Sequence, residues 1–352
     1  MKTINFFILS LVLIITLNAC KDTDISPESS EDIAIINNVS ENVIFATYSN
    51  LDDKAGLLIT SIQSFKASAT EANLELCKTA WRNARIPWEQ SEGFLFGPVD
   101  NAGIDPSIDS WPVNKIDLEN VLNSNAILTK TYIDGLEGTL KGFHTIEFLL
   151  WGTGTKKVTM FNSRQFEYLI AVSESFKGAT AQLKNEWSVS GKNFISELKN
   201  AGKTSKLYPS TKAVFEEFVE GITVIADEVA NGKIQDPLAL QDLKLEESQF
   251  SSNSKADFTD NIKSIQNVYL GTFDNKGTGK GLSNVIVAKN VALDTRFKQE
   301  ITDAIIAIQT INGTFSTAIF TSKPSVENAQ KKVRKILQTL EEDIKPLIEK
   351  IQ

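Results

Sequence analysis

The chain is short of the groups that most hydrolases and redox enzymes rely on. Among 352 residues it has one histidine and two cysteines. A single histidine rules out an H-E-x-x-H zinc motif, and catalytic zinc usually wants three protein ligands with two or more imidazoles. It also argues against a ferritin-like di-iron centre, which uses Glu-x-x-His twice. No G-x-S-x-G elbow is present to make His144 part of a nucleophilic triad. Phosphate loops of the Walker and Rossmann kinds are absent too. Gly277-Thr278-Gly279-Lys280-Gly281 follows no strand pattern and reads as a surface turn. Positive charge is in deficit, with 36 Lys and Arg against 44 Asp and Glu, a net −8. Such a surface argues against nucleic acid and anionic lipid headgroups as partners, and suits cationic ligands.

Long hydrophobic runs are missing after the first twenty residues. Phe6 to Leu17 is almost wholly apolar, about the length of a signal-peptide core and short for a membrane span. Leu17-Asn18-Ala19-Cys20 follows and resembles a bacterial lipobox, in which the cysteine is acylated and becomes the first mature residue. An ordinary secretory signal with a chance cysteine is the other reading. The polar stretch Lys21 to Asp32 favours the first, because a tether this polar packs no core. Cleavage before Cys20 leaves 352 − 19 = 333 residues, enough for one large domain or two ordinary ones. Losing Lys2 takes the charge from −8 to −9. The expected location is the cell envelope of a Gram-negative bacterium, periplasmic or surface-exposed, with the membrane as partner through the lipid. With Cys20 acylated, Cys77 has no intrachain partner, and its helical surroundings point to a buried structural thiol.

Apolar spacing is helical almost throughout. Val214, Phe218, Ile222, Ile225 and Val229 make one stripe; Phe258, Ile262, Ile265 and Tyr269 another; Val326, Ala329, Val333, Ile336, Leu340 and Ile344 a third. No segment alternates with period two, so the expectation is an all-α fold with few strands or none. Helices are expected at about 33–65, 71–92, 116–127, 135–151, 162–200, 209–231, 255–271, 288–312 and 325–350. Gly138 and Gly142 weaken the fourth on propensity. Turn residues separate them, as in Asn231-Gly232-Lys233 and Lys323-Pro324-Ser325. Short links between long helices favour up-and-down bundles. Two bundles, 33–200 and 201–352, joined through a long 162–200 helix, account for this many helices.

One segment is not helical by pattern. Phe94 to Pro112 holds three prolines and three aspartates, yet also Phe94, Phe96, Ile104, Ile108 and Trp111. A disordered linker would not carry so many large apolar groups, so this is an ordered loop, and loops of this length are usually functional.

His144 lies in Gly142-Phe143-His144-Thr145-Ile146-Glu147-Phe148-Leu149-Leu150-Trp151. His144 and Glu147 share a helix face at i, i+3. Their neighbours are apolar all round, which marks a buried helix. A buried imidazole and carboxylate need partners. They could share a proton and simply stabilise a bundle, or bind one metal. Upstream, Arg85 and Glu89 read as an ordinary i, i+4 pair, and Pro87 should kink the helix and aim Glu92 and the loop toward His144.

Gly142-x-His144-x-x-Glu147 resembles the G-x-H-x-x-E signature of the imelysin family. Trp81-Arg82-Asn83-Ala84-Arg85-Ile86-Pro87-Trp88-Glu89-Gln90-Ser91-Glu92 resembles the family's helix before the loop. Phe96-Gly97-Pro98-Val99-Asp100 and Ile108-Asp109-Ser110-Trp111-Pro112 resemble its loop motifs, and Glu247 to Ser251 and Asn267 to Gly271 resemble segments of its second half. The resemblance runs from about residue 33 to 350. It implies packed four-helix bundles with a site at their junction, in envelope proteins tied to iron acquisition, some filed as metallopeptidases. The positions it carries over are Gly142, His144 and Glu147, then Glu92, Asp100, Asp109 and Trp111. Three functions stay open: metal-ion or metal-complex binding in iron uptake, with outer-membrane uptake components as partners; a metallopeptidase using His144 and Glu147; and binding of a glycan or peptide along Trp88, Trp111, Trp151 and Phe96. One imidazole with carboxylates such as Asp100, Asp105 and Asp109 suits iron or manganese better than zinc.

Overall fold

A computed structural model describes residues 29–351. The expected leader, Cys20 and most of the expected tether lie outside the described residues. Among these, every regular element is helical, and Phe273 with Lys276 forms the one isolated bridge. None of the helices is long and apolar enough to cross a membrane.

The principal helices are α1 (Ser30–Asn38), α2 (Ala46–Ala67), α3 (Glu71–Glu89), α4 (Gly142–Trp151), α5 (Ser163–Trp187), α6 (Thr211–Asp227), α7 (Ser254–Leu270), α8 (Val291–Gln309) and α9 (Lys323–Thr339). Their starts are set by side-chain caps. Thr70 accepts from the Asn73 amide, Ser210 from Ala213 and Asn290 from Leu293; Asn162 and Gln165 cap each other's backbone at the start of α5. Each of the three apolar stripes is fully buried. Every Val, Ile or Phe so placed contributes about 1.5–3 kcal/mol, set against the entropy of ordering the chain. Helices α2, α3 and α5 pack side by side, with α4 laid against α3 and α5; α6, α7, α8 and α9 pack together. Helix α7 also rests on α3, and α6 on the turn Glu92–Phe94, so a single hydrophobic core runs through the molecule. At that last contact a Cβ on Gly221 would lie 2.4 Å from the Gly93 carbonyl, so only glycine lets the backbones come this close.

Several expected boundaries move. The 162–200 helix ends at Trp187, whose indole is locked by Tyr48, Phe96 and Phe194; Asn193 adopts a left-handed φ of 58° before a separate helix, Ile195–Lys199. No continuous helix therefore links the two halves. The 71–92 helix stops at Glu89, two residues past Pro87, and a 3-10 turn, Glu92–Phe94, follows. The 135–151 helix begins only at Gly142, because φ +73° there cannot sit inside a right-handed helix. Wide π-helical turns at Val39–Phe45, Glu228–Lys233 and Leu340–Ile344 interrupt or extend three helices. The ordered 94–112 segment contains two single-turn helices, Pro98–Asn101 and Asp105–Ile108, and is pinned by buried Phe94, Phe96, Val99, Ile104 and Ile108.

Candidate functional site

A charged seam runs through the interior where α3, α4, α7 and the 94–112 segment meet. Its centre is Arg85, wholly buried on α3. The guanidinium contacts four carboxylates: Glu89 one turn on, Asp109 on the loop, Glu247 at 3.2 Å and Asp257 of α7 at 3.3 Å. Beside it the Lys233 ammonium, also buried, lies 2.8 Å from Glu92 Oε2 and 2.9 Å from Glu247 Oε1. Asn261 donates to Glu89 Oε2 at 2.6 Å and to Glu92 Oε2 at 3.2 Å. Water is largely excluded, so each charge depends on its neighbours.

Helix α4 brings the histidine to this seam. His144 is 1% exposed. Its Nδ1 meets Glu147 Oε2 at 3.2 Å and its Nε2 faces Asp109 Oδ1 at 3.1 Å, off the line of a good hydrogen bond. Glu147 is itself held: Oε1 accepts from the Phe250 amide (3.1 Å), the Ser251 amide (2.7 Å) and the Ser251 hydroxyl (2.7 Å). Glu147 thereby ties α4 to the 250–251 segment and fixes the imidazole ring. Asp109 is fixed by Trp88, whose Nε1 donates to Oδ2 at 2.6 Å. Gly142 explains how the loop reaches the ring. A Cβ there would lie 2.3 Å from the Ile108 carbonyl, so the loop carrying Asp109 packs directly on the first residue of α4.

The electrostatics follow from this packing. Burial opposes the imidazolium, but the facing Asp109 carboxylate and the bond to Glu147 outweigh it and hold His144 up at about 9. Burial would raise Asp109, yet Arg85 and His144 pull it well below the usual carboxylate range. Burial pushes Asp257 up to about 6 against the pull of Arg85. It pushes Glu92 well above its ordinary value, with Lys233 pulling the other way. Lys233 stays charged because Glu247 and Glu92 outweigh its desolvation.

Most residues singled out from sequence are brought together here: Glu92, Asp109, Gly142, His144 and Glu147. Pro87 lies inside α3, which runs on to Glu89, and the 3-10 turn Glu92–Phe94 that follows puts Glu92 in the same seam. Trp111, partly exposed, stands at the rim with its ring 6.4 Å from that of His144. Asp100 is exposed and takes no part in the converging groups; Asp105 lies near Asp109, pushed up to about 6 chiefly by burial. Trp88, Trp151 and Phe96 are core side chains and do not line a groove. Arg85 and Glu89, expected as a routine helix pair, are central to the seam. Lys233, Asp257 and Asn261 have no local signature, and Glu247 opens the segment to Ser251 that resembles the family's second half without any spacing that marks it as a site residue.

Three potential ligand atoms, from Asp109, His144 and Glu247, lie within 4.8 Å of one another, a spacing that one metal ion can span. They come from three distant stretches of chain.

The fold and this seam define an all-helical protein with a buried His–carboxylate site. The imelysin family model matches residues 44–347, and the chain belongs to the imelysin family. It is 28% identical over 313 residues to iron-regulated protein A of Synechococcus elongatus, covering 88% of this chain and 85% of that one. Its structure matches a crystal structure from Parabacteroides distasonis, described as an iron-regulated protein A precursor, with TM-score 0.82, 26% identity, and 93% and 96% of the two chains covered. An imelysin-like protein from Psychrobacter arcticum shares the fold at TM-score 0.73 and 12% identity, over 91% and 96% of the chains.

Proposed function

We propose that this is a lipid-anchored envelope protein of iron metabolism that binds a hard metal ion, iron favoured over zinc, through Asp109, His144 and Glu247. The observation that carries the proposal is the convergence of these three donors in a seam where acid outnumbers base. Arg85, Lys233 and His144 face Glu89, Glu92, Asp109, Glu147, Glu247 and Asp257. Glu247 Oε2 is buried and accepts no hydrogen bond, which is costly unless a further positive group arrives. The residues fit an ion. Glu147 holds Nδ1 and leaves Nε2 toward Asp109, the arrangement of a carboxylate behind a metal-bound imidazole. Its own oxygens are taken up by His144 and residues 250–251, so its role is orientation. One nitrogen and two carboxylates is an oxygen-rich set suited to iron or manganese. A bound ion would supply the positive charge that offsets the carboxylate excess.

Similarity to two proteins named for iron regulation supports the iron link. The Leu17-to-Cys20 pattern supports the anchor, and outer-membrane uptake components are the partners this reading implies. Burial weighs against peptide hydrolysis, because a scissile bond cannot reach a ring 1% exposed unless the helices part. Calorimetric titration of metal-free protein with ferrous, manganous and zinc ions tests the reading. One equivalent of ferrous or manganous ion should bind, and binding should be lost in His144→Ala and Asp109→Asn. Absence of any heat of binding in the wild type overturns it.

A further inference from the structure

Next to the Asp109–His144–Glu247 cluster lies a second cradle. Glu89, Glu92, Asp109 and Glu247 each bring a carboxylate oxygen within 4.8 Å of the others. Asp109 and Glu247 belong to both clusters, so the two share an edge made of two carboxylates. Opposite ligands of an ion bound at about 2.0–2.6 Å lie about 4–5 Å apart, so the second cradle also has the dimensions of an ion site.

Clustered acids alone would not mark a site, but this cradle already holds a cation. The Lys233 ammonium sits 2.8 Å from Glu92 Oε2, 2.9 Å from Glu247 Oε1 and 3.9 Å from Glu89 Oε2. Lys233 is 3% exposed, so its charge is fully committed to these groups. Asn261 closes the cradle with its amide on Glu89 and Glu92, leaving its own Oδ1 buried and without a partner. Glu247 Oε2 is likewise buried and unpartnered. Lys233 ends the π-helical turn Glu228–Lys233, and a Cβ on the preceding Gly232 would meet nothing within 4 Å. A π turn inserts a residue and re-aims the side chains after it, and such turns recur at functional sites.

We propose that this cradle is the second cation position of a carboxylate-bridged pair, filled in this protein by the Lys233 ammonium, which limits the centre to one metal ion. The inference rests on the metal reading of the first cluster. An ammonium held within 3 Å of Glu92 and Glu247 and a divalent ion on the same oxygens exclude each other. Arg85 touches Asp109 and Glu247 as well but does not close the first cluster, because His144 Nε2 and Glu247 Oε2 there keep no hydrogen-bond partner. Lys233 has no partner outside the cradle except the half-exposed Glu228 at 3.7 Å.

The test is a calorimetric Mn2+ titration of the full mature chain, with electron paramagnetic resonance on the loaded samples. Wild type should take one equivalent and give a six-line mononuclear spectrum. Lys233→Met should take two and give an exchange-coupled spectrum, and adding Glu92→Gln should remove the second equivalent alone. One equivalent and a mononuclear spectrum in folded Lys233→Met overturns the inference while leaving the first site intact. No Mn2+ in wild type but one equivalent in Lys233→Met, lost with Glu92→Gln, keeps the second cradle and overturns the first-site reading. No Mn2+ in any protein overturns both. Should Lys233→Met fail to fold, Lys233→Gln, which keeps an amide donor without the charge, is expected to behave the same way. If both fold only when Mn2+ is present, the ion has replaced the ammonium as proposed; if neither folds with Mn2+, the inference falls.

Discussion

Charge is used in two ways in this molecule. In the seam, Arg85 lies among Glu89, Asp109, Glu247 and Asp257 with every side chain 6% exposed or less. On the outer helices, Arg296 pairs with Asp343 at 2.5 Å and Lys345 with Glu220 at 2.5 Å, with side chains 42–52% exposed. The distances are comparable and the chemistry is the same. What differs is the solvent. Water can replace either partner of the outer pairs, so each contributes little. Nothing replaces a partner in the seam, so removing one strands the others in a low-dielectric interior. A short ion pair therefore says little about its worth until burial is known.

The sharpest contrast comes from deleting the cation in each place. Arg85→Ala should cost about 3–5 kcal/mol, in line with breaking a buried network, and it removes one of the bonds that hold Asp109. Arg296→Ala should cost less than about 1 kcal/mol. Urea unfolding of the two variants checks this. Comparable losses would mean that the seam is hydrated and the comparison fails.

Glycine gives a second contrast, somewhat smaller. Gly142 (φ +73°) and Gly103 (φ +61°) both need the left-handed region. A Cβ on Gly142 meets the Ile108 carbonyl at 2.3 Å, whereas one on Gly103 meets nothing within 4 Å. Gly103→Ala should carry only the backbone strain, about 1 kcal/mol. Gly142→Ala must add displacement of the loop that carries Asp109, so it should cost about 2–4 kcal/mol on the scale of strained and overpacked sites. Equal melting temperatures for the two would show that the loop is not seated on α4.

The same division governs what the sequence could reveal. The buried stripes were readable because side-chain period is a local property. The Gly142-x-His144-x-x-Glu147 face and the ordered loop were readable for the same reason: spacing, apolar content and turn residues are written within a few positions. The rest of the seam is not local. Arg85 meets Glu247 and Asp257 across more than 160 residues, and no spacing rule encodes such a meeting. One clue did exist. Leu74, Cys77, Trp81, Ala84 and Trp88 form the buried stripe of α3, and Arg85 and Glu89 fall on that stripe. A charged pair inside an apolar stripe is a buried pair, and i, i+4 spacing alone conceals that. Lys233 was concealed further, because Asn231-Gly232-Lys233 has the composition of an exposed turn. Helix breaks were missed where one residue is locked by tertiary contact, as Trp187 is.

His144 offers a contrast read by pH. Its folded value near 9 lies above the ordinary 6.5. A group whose value rises on folding stabilises the fold in its protonated form. That contribution is fully present below about 6.5 and is lost as pH rises through about 9. Because the chain has one histidine, metal-free protein purified without a histidine tag gives one imidazole resonance set by NMR. It should titrate near 9 and move down in Asp109→Asn. The stability difference between wild type and His144→Gln should shrink between pH 6.5 and 9. A midpoint near 6.5 would mean that Asp109 does not face the ring.

The smallest expected effect tests the other side of the comparison. Lys345 sits 2.5 Å from Glu220, and that hydrogen bond raises its pKa above the ordinary lysine value. Yet its side chain is 42% exposed, and holding two long side chains together costs about as much rotamer entropy as the screened attraction returns. Lys345→Ala should therefore change stability by less than about 0.5 kcal/mol, and raising the salt concentration should leave the difference between variant and wild type almost unchanged. A loss above about 1 kcal/mol that vanished in high salt would show that charge on the outer helices is organised cooperatively. The contrast with the seam would then be one of degree, set by how many charges act together and not by access of water.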